Sequence, residues 1–283
     1  MQPDITAPGV SILAAFTGLA GPTGLAFDSR RVLFNSESGT SMSCPHIAGV
    51  AGLLKALHPD WSPAAIKSAI MTTARVRDNM KRPMRNSSFL RATPFGYGAG
   101  HVQPNRAADP GLVYDMGAAD YLHFLCAVGY NSSVIDTFMD GQQPEDDHGR
   151  RSTYACPATP PKVEDLNYPS VAVPHVSPSG APHTVTRRVR NVGAAPAAYD
   201  VRVDEPRGVS VTVRPSRLEF AAAGEEKEFA VTFRAKKGSF LPGEYVFGRM
   251  VWSDGAGRHR VRSPVVARVA ADHRTNKTSV SVA

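Results

Sequence analysis

Gly39-Thr40-Ser41-Met42-Ser43-Cys44-Pro45-His46 is the stretch of this 283-residue chain whose residue types could do chemistry. A serine follows a glycine and a threonine, and a run of small and apolar residues comes after it: Ile47, Ala48, Gly49, Val50, Ala51, Gly52, Leu53 and Leu54. The run reads as a helix, with Pro45 near its first turn, where a missing N–H is tolerated. A hydroxyl at such a helix start lies beside backbone N–H groups that lack an intrahelical partner and beside the positive end of the helix dipole. Those surroundings stabilise an oxyanion in acyl transfer, so Ser41 is the candidate nucleophile and Gly39 and Thr40 its supporting loop. Because the run is apolar on every side, the helix is expected to be buried, with Cys44 acting as a small buried hydrophobe.

Other residues that could do chemistry are fewer. Gly-x-Ser-x-Gly, the elbow of another class of hydrolases, would need a glycine where Ser43 stands, which excludes it. Cys44, Cys126 and Cys156 are too few and too widely spaced for a metal cluster, and no metal or cofactor site is expected. In an oxidising compartment Cys126 and Cys156 would close a loop of about thirty residues, worth roughly 3–4 kcal/mol in the loop-entropy account. Gly96-Tyr97-Gly98-Ala99-Gly100 resembles a dinucleotide loop, but His101 occupies its sixth position, so a tight turn is the expectation. Asn86, Asn131 and Asn276 head Asn-x-Ser/Thr triplets and are candidate glycosylation sites in a secreted product.

Periodicity places these residues on elements. Ile5, Val10, Ile12 and Leu13 mark a short strand broken by Ala7-Pro8-Gly9, and residues 17–38 read as a Gly-rich loop approaching the serine. Ser62-Pro63 starts the next helix with an N-cap serine and a proline at its first position. In it Ile66, Ala69, Ile70 and Thr73 repeat at i, i+3, i+4 and i+7 and should face the preceding helix. Residues 75–93 read as an exposed loop, and Tyr121, Leu122, Leu125 and Val128 as one face of a short helix. Residues 1–135 thus form a first region and 136–165, acidic and proline-containing, a linker. From Leu166 the period becomes two: Val201/Val203, Val209/Val211/Val213, Phe229/Val231/Phe233 and Tyr245/Phe247 alternate with polar neighbours. That pattern, with turns such as Asp254-Gly255-Ala256-Gly257, predicts a sandwich of about seven strands over 166–271, able to fold alone, and a frayed tail over 272–283.

Charged residues at 20% and apolar residues at 42% describe a globular chain, and no run approaches the length of a membrane span. Met1-Gln2-Pro3-Asp4 carries no signal peptide. Residues 1–165 hold 14 Lys+Arg against 15 Asp+Glu, and residues 166–283 hold 18 against 10, so the net +7 belongs to the second half. Its arginines (187, 188, 190, 202, 214, 258, 260 and 262) sit in strand-like segments. A solvated sheet face is one reading and attraction to an acidic polymer such as cell-wall pectin another; no nucleic-acid-reading motif accompanies the charge.

The octapeptide around Ser41 resembles the active-site serine motif of subtilisin-like serine proteases. The resemblance extends through Pro3-Asp4-Ile5-Thr6-Ala7-Pro8-Gly9, His58-Pro59-Asp60-Trp61-Ser62-Pro63 and Met71-Thr72-Thr73-Ala74. Phe95-Gly96-Tyr97-Gly98-Ala99-Gly100-His101-Val102, Asp109-Pro110-Gly111-Leu112-Val113-Tyr114-Asp115 and Leu166-Asn167-Tyr168-Pro169-Ser170 are similar to the plant, cucumisin-like branch, and the likeness covers nearly the whole chain. It implies the α/β remnant of a subtilisin-like catalytic domain followed by an all-β fibronectin type III-like sandwich. It also implies a secreted endopeptidase of the apoplast that cleaves protein or peptide substrates through an acyl-enzyme on Ser41, without membrane or nucleic-acid partner. In that family an aspartate, a histidine and an oxyanion-hole asparagine precede the serine. Here the 40 preceding residues hold no histidine, Asp4 and Asp28 lack the aspartate's setting, and Asn35 is out of place. His46 lies where the family packs a side chain, His148 is followed by Gly149-Arg150, and His101 and His123 read as structural. The expectation is a C-terminal portion of such an enzyme, catalytically incompetent alone; the alternative is a non-catalytic binding module acting through the basic sandwich.

Overall fold

The computed structural model describes residues 2–139 and 154–271. The acidic run 140–147, His148, Arg150, Asn276 and the tail 272–283 lie outside the described residues. The chain opens with β1 (Ile12–Ala15) and β2 (Phe34–Glu37), an antiparallel pair with Ile12 opposite Glu37, and continues into α1 (Thr40–Leu57) and α2 (Pro63–Thr72). Ser62 caps α2 as expected: its Oγ accepts the Ala65 N–H at 2.9 Å, and Pro63 is the first helical residue. Ile66, Ala69, Ile70 and Thr73 are all buried, but so are Ala64, Ala65, Ser68, Met71 and Thr72 on the other side.

The buried central helix is therefore α2, and the expectation for α1 is corrected. Of its residues only Leu54 is fully buried, while Leu53 is 71% and Leu57 59% exposed. The physical reason is that α2 covers one flank of α1 and, among the described residues, no sheet covers the rest. Cys44 is accordingly an exposed free thiol, not a core residue.

Two single-turn helices follow, α3 (Pro94–Tyr97) and α4 (Pro104–Ala107), then β3 (Leu112–Val113), α5 (Ala118–Ala127) and α6 (Ser132–Phe138). Cys126 at the end of α5 is bonded to Cys156, with Cα atoms 5.8 Å apart. From β4 (Val171–Val176) the chain is all strand: β5 (His183–Asn191), β6 (Ala197–Asp204), β7 (Val209–Arg214), β8 (Arg217–Phe220), β9 (Glu226–Ala235), β10 (Tyr245–Asp254) and β11 (Arg260–Val269). A five-stranded sheet ordered β4-β11-β10-β6-β8 faces a four-stranded one ordered β3-β5-β9-β7. All neighbours are antiparallel except β4 and β11. Val209, Val211, Val213, Phe229, Val231 and Phe233 point into the core around Trp252 and Tyr199, as their alternation requires. Tyr245 and Phe247 alternate too, but on the outer face, where both stack edge-on against Phe95 of α3 at 5.2 and 5.0 Å.

One strand of the sandwich comes from well before residue 166. Leu112 and Val113 pair with Asn191 and Arg190 of β5. Leu112 and Tyr114 lie in the sandwich core and Val113 in the core around α2. The Tyr114 hydroxyl shares a 2.8 Å hydrogen bond with Ser263, and burial pushes it up to about 12. Gly111, at φ 80°, precedes this crossing; a Cβ there would lie 2.6 Å from the Tyr199 hydroxyl and 2.7 Å from His259 Cγ.

The reading of the sandwich arginines as a solvated face holds for the exposed Arg202, Arg214, Arg258 and Arg260 and changes for Arg187, Arg188, Arg190 and Arg262. Arg187 is buried and donates to the carbonyls of Glu164, Thr186, Tyr168 and Ser170 at 2.7–3.3 Å; burial brings its pKa down to about 10. Arg188 pairs with Asp120 at 2.8 Å, Arg190 with Asp115 at 2.8 Å, and Arg262 reaches across to the carbonyls of Ala74 and Ala99. Guanidinium groups suit this task, since each presents several donors in a plane to carbonyl oxygens that strand and loop ends leave unpaired.

Gly111→Ala is expected to cost about 2 kcal/mol or more, from left-handed strain and overpacking, read as a lower denaturation midpoint. Asp120 gives a pH test. Burial opposes its charge, but Arg188 and the Gly117 N–H outweigh it and hold the carboxyl below its ordinary range. A depressed folded pKa contributes stability that is present above about pH 4 and lost as pH falls through the folded value. Asp120→Asn should flatten the fall in urea midpoint between neutral and acid pH.

Candidate active site

Helix α1 begins without a side-chain cap. Gly39, its N-cap, is extended at φ 162°, and its N–H donates to the Gly9 carbonyl at 2.7 Å. Two residues past Ser41, the Ser43 hydroxyl donates to the Ala7 carbonyl at 3.0 Å. The segment Ala7-Pro8-Gly9 is thus pressed against the helix start, so closely that a Cβ on Gly9 would lie 2.2 Å from Ser43 Oγ and 2.8 Å from the Gly39 carbonyl oxygen. These contacts set the direction of the first turn.

Ser41 is the second helical residue and its side chain is exposed. Gly39, Thr40 and Ser41 are therefore together at one helix end, where the first N–H groups have no intrahelical acceptor and the dipole is positive. Pro45 is the sixth helical residue, not part of the first turn. The donor it lacks is the one that would have served the Ser41 carbonyl four residues earlier. Among the described residues no hydrogen bond joins Ser41 Oγ to a base. His46 is nearby in sequence, but its Nδ1 lies 2.7 Å from the Met42 carbonyl. A carbonyl only accepts, so Nδ1 carries the proton and is committed to the helix backbone.

The remaining candidates hold structural contacts. Asn35 donates its amide to the Pro22 carbonyl and to Glu37 within the β1–β2 region. Asp28 is gripped by Arg30 at 2.8 and 2.9 Å and by Thr23; those hydrogen bonds, Arg30's first, hold its carboxyl well below the usual range. Asp4 accepts from the Tyr168 hydroxyl and faces Lys67 at 3.5 Å. His58 stacks on Trp61 at 3.9 Å with Nε2 2.8 Å from the Ala108 carbonyl. His101 is engaged through its backbone with Arg75 at 2.7 and 3.0 Å. Asn86 and Asn131 are both exposed. Asn86 Oδ1 accepts from Ser88 and Leu90, and Asn131 caps α6 by accepting from Val134 at 3.0 Å.

Sequence reasoning missed one constellation. His259 stands between Asp254, 2.9 Å from Nδ1, and Asp109, 3.0 Å from Nε2, and so ties the β10–β11 turn to the segment before β3. The signal was present as two glycine-containing turns, Asp109-Pro110-Gly111 and Asp254-Gly255, but nothing local said that they meet. An apolar groove of about 500 Å³ lies between α1 and α2, lined by Ile47, Ala51, Trp61, Ile66 and Ile70.

A sequence model of the subtilase family matches residues 1–100, and one of the fibronectin type-III domain matches residues 165–267. Over 95% of its length the chain is similar to Arabidopsis thaliana subtilisin-like proteases SBT5.3 (51% identity, 33% of that protein) and SBT5.4 (53%, 32%). It is also 45% identical to Subtilisin-like protease Glyma18g48580 of Glycine max, over 95% of this chain and 32% of that one. The chain spans about a third of the length of the curated relatives it matches. By these matches residues 1–100 are similar to the subtilase family and residues 165–267 to the fibronectin type-III domain.

Gly9→Ala is expected to push residues 7–9 off the start of α1 and to lower stability by about 1–3 kcal/mol, the cost of forcing volume into a packed contact. Gly18→Ala, with open space around it, is the control and should change a thermal-denaturation midpoint little.

Proposed function

We propose that Ser41 is the nucleophile of a subtilisin-like serine endopeptidase acting on protein or peptide substrates. The observation that supports this reading is the placement of an exposed serine at the start of α1, beside backbone N–H groups without helical acceptors. In the reaction Ser41 Oγ bonds to the scissile carbonyl carbon, and the carbonyl π electrons move to oxygen, where N–H groups of the helix start stabilise the charge. The tetrahedral intermediate collapses with loss of the amine, and water then releases the acyl group from Ser41.

The hydroxyl proton must go to a base during the first step, and the leaving amine must receive one. With His46 bound to the Met42 carbonyl, turnover requires an imidazole and a carboxylate delivered to Ser41 from elsewhere. Among the described residues Ser41 is therefore a nucleophile without its proton relay, and the rate of the chain alone should lie orders of magnitude below that of a complete triad. The exposed sequons and the Cys126–Cys156 bond support action outside the cell, in the apoplast. No helix among the described residues is long and apolar enough to cross a membrane.

A fluorophosphonate probe tests the proposal. The purified chain should label no more than its Ser41→Ala variant. Strong labelling confined to Ser41 would mean that a base already reaches the hydroxyl and would overturn the claim of dependence. If addition of a relative's catalytic region restores labelling only when Ser41 is present, the nucleophile assignment stands.

A further inference from the structure

Several arginines gather in one groove. It runs between residues 72–106 of the first region and the outer face of the five-stranded sheet. One stretch of it is lined by Arg75, Arg77, Arg106, Arg249, Arg260 and Arg262, with no carboxylate among its lining residues. The adjoining stretch shares Arg77, Arg249 and Arg262, adds Arg91, and contains a single acid, Asp204, which pairs with Arg249.

Strand register explains the gathering. Across the sheet Arg262 lies opposite Val251, which lies opposite Arg202; Arg260 lies opposite Ser253; and Arg249 lies between Pro264 and Asp204. All point to the same face, because a strand's side chains alternate. Arg260 and Arg262 are two residues apart on β11, hence about 7 Å apart along it. Arg106 and Arg260 are exposed and have no ion pair among the described residues. Arg262 is held in place by the carbonyls of Ala74 and Ala99. Burial lowers its pKa to about 10; Tyr97 opposes that shift, and the like charges of Arg249 and Arg260 add to it. The groove is therefore a concave surface on which guanidinium groups outnumber carboxylates, and an anion would relieve their mutual repulsion.

We propose that this groove binds an extended acidic polysaccharide whose repeating carboxylates pair with the guanidinium groups. Guanidinium is planar and meets carboxylates two bonds at a time. The charges are spread along a groove, which suits a ligand with charge repeated at intervals of several ångströms better than one compact oxyanion. A peptide is disfavoured because β10 and β11 are both interior strands whose backbone groups are already paired, leaving no edge for strand addition. The rings of Tyr97 and Phe247 border the groove and offer flat apolar surface to sugar rings.

The test is fluorescence anisotropy with a labelled oligogalacturonate, using the full chain at low and moderate salt. Saturable binding is expected, weakened at least tenfold by Arg106→Gln/Arg260→Gln with an unchanged melting midpoint. Arg214→Gln/Arg234→Gln removes the same charge from exposed positions on the outer face of the four-stranded sheet and should leave affinity within about twofold. Absence of binding at low salt, equal losses in both double variants, or tighter binding of polyglutamate of the same charge would each overturn the proposal, the last in favour of an acidic protein partner. Fluorophosphonate labelling of the same preparation reports separately on the hydrolytic reading.

Discussion

Three consecutive residues join the sandwich core to the core around α2. A strand's alternation sends Leu112 and Tyr114 one way and Val113 the other, and all three are fully buried. The first two fill the sandwich beside Phe229 and Trp252; the third closes the small core around α2, whose Ser68 hydroxyl accepts the Tyr114 N–H at 2.9 Å. Because both faces of one short segment are buried in different cores, neither core can shift without exposing apolar surface in the other. Such an interface behaves less like a hinge between domains than like the interior of one.

Around that segment the seam is made of charge-assisted hydrogen bonds. Arg188, Arg190 and Arg262 each carry a donor from the sheet to an oxygen of the first region, and His259 joins Asp254 to Asp109. A guanidinium buried among carbonyls is stabilising only if its donors are met, and Arg187 meets four such oxygens within the sandwich itself. This is why the positive charge of the second half overstates the basic surface that solvent sees.

What was legible in the sequence was local. Ser62-Pro63 announced the start of α2, period two announced the strands from Val209 to Phe233, and the residues around Ser41 announced a helix start with a hydroxyl on it. What was not legible depends on which surfaces meet. An apolar run such as 47–54 looks buried whatever covers it, and only the structure shows that α2 lies inside while α1 stays half bare. A two-residue strand at Leu112–Val113 is too short to have a period. The alternation of Tyr245 and Phe247 was visible, but not its side, because Phe95 takes them outward. At the candidate site the nucleophile was legible and its surroundings were not, since Gly9 and Ala7 make contacts with the serine turn from about thirty residues away.

β3 also closes the outer edge of β5. Without residues 111–113, the backbone groups of Arg190 that face Val113 across that ladder, and the Val192 N–H that donates to the Gly111 carbonyl, would face water along a sheet border. Exposed borders of this kind recruit strands from other copies, and charged or twisted ends are the usual protection. The sandwich expected to fold alone from Leu166 would therefore begin with an open edge and two core side chains missing. Its self-association, more than its unfolding, would be what a cut at that point releases.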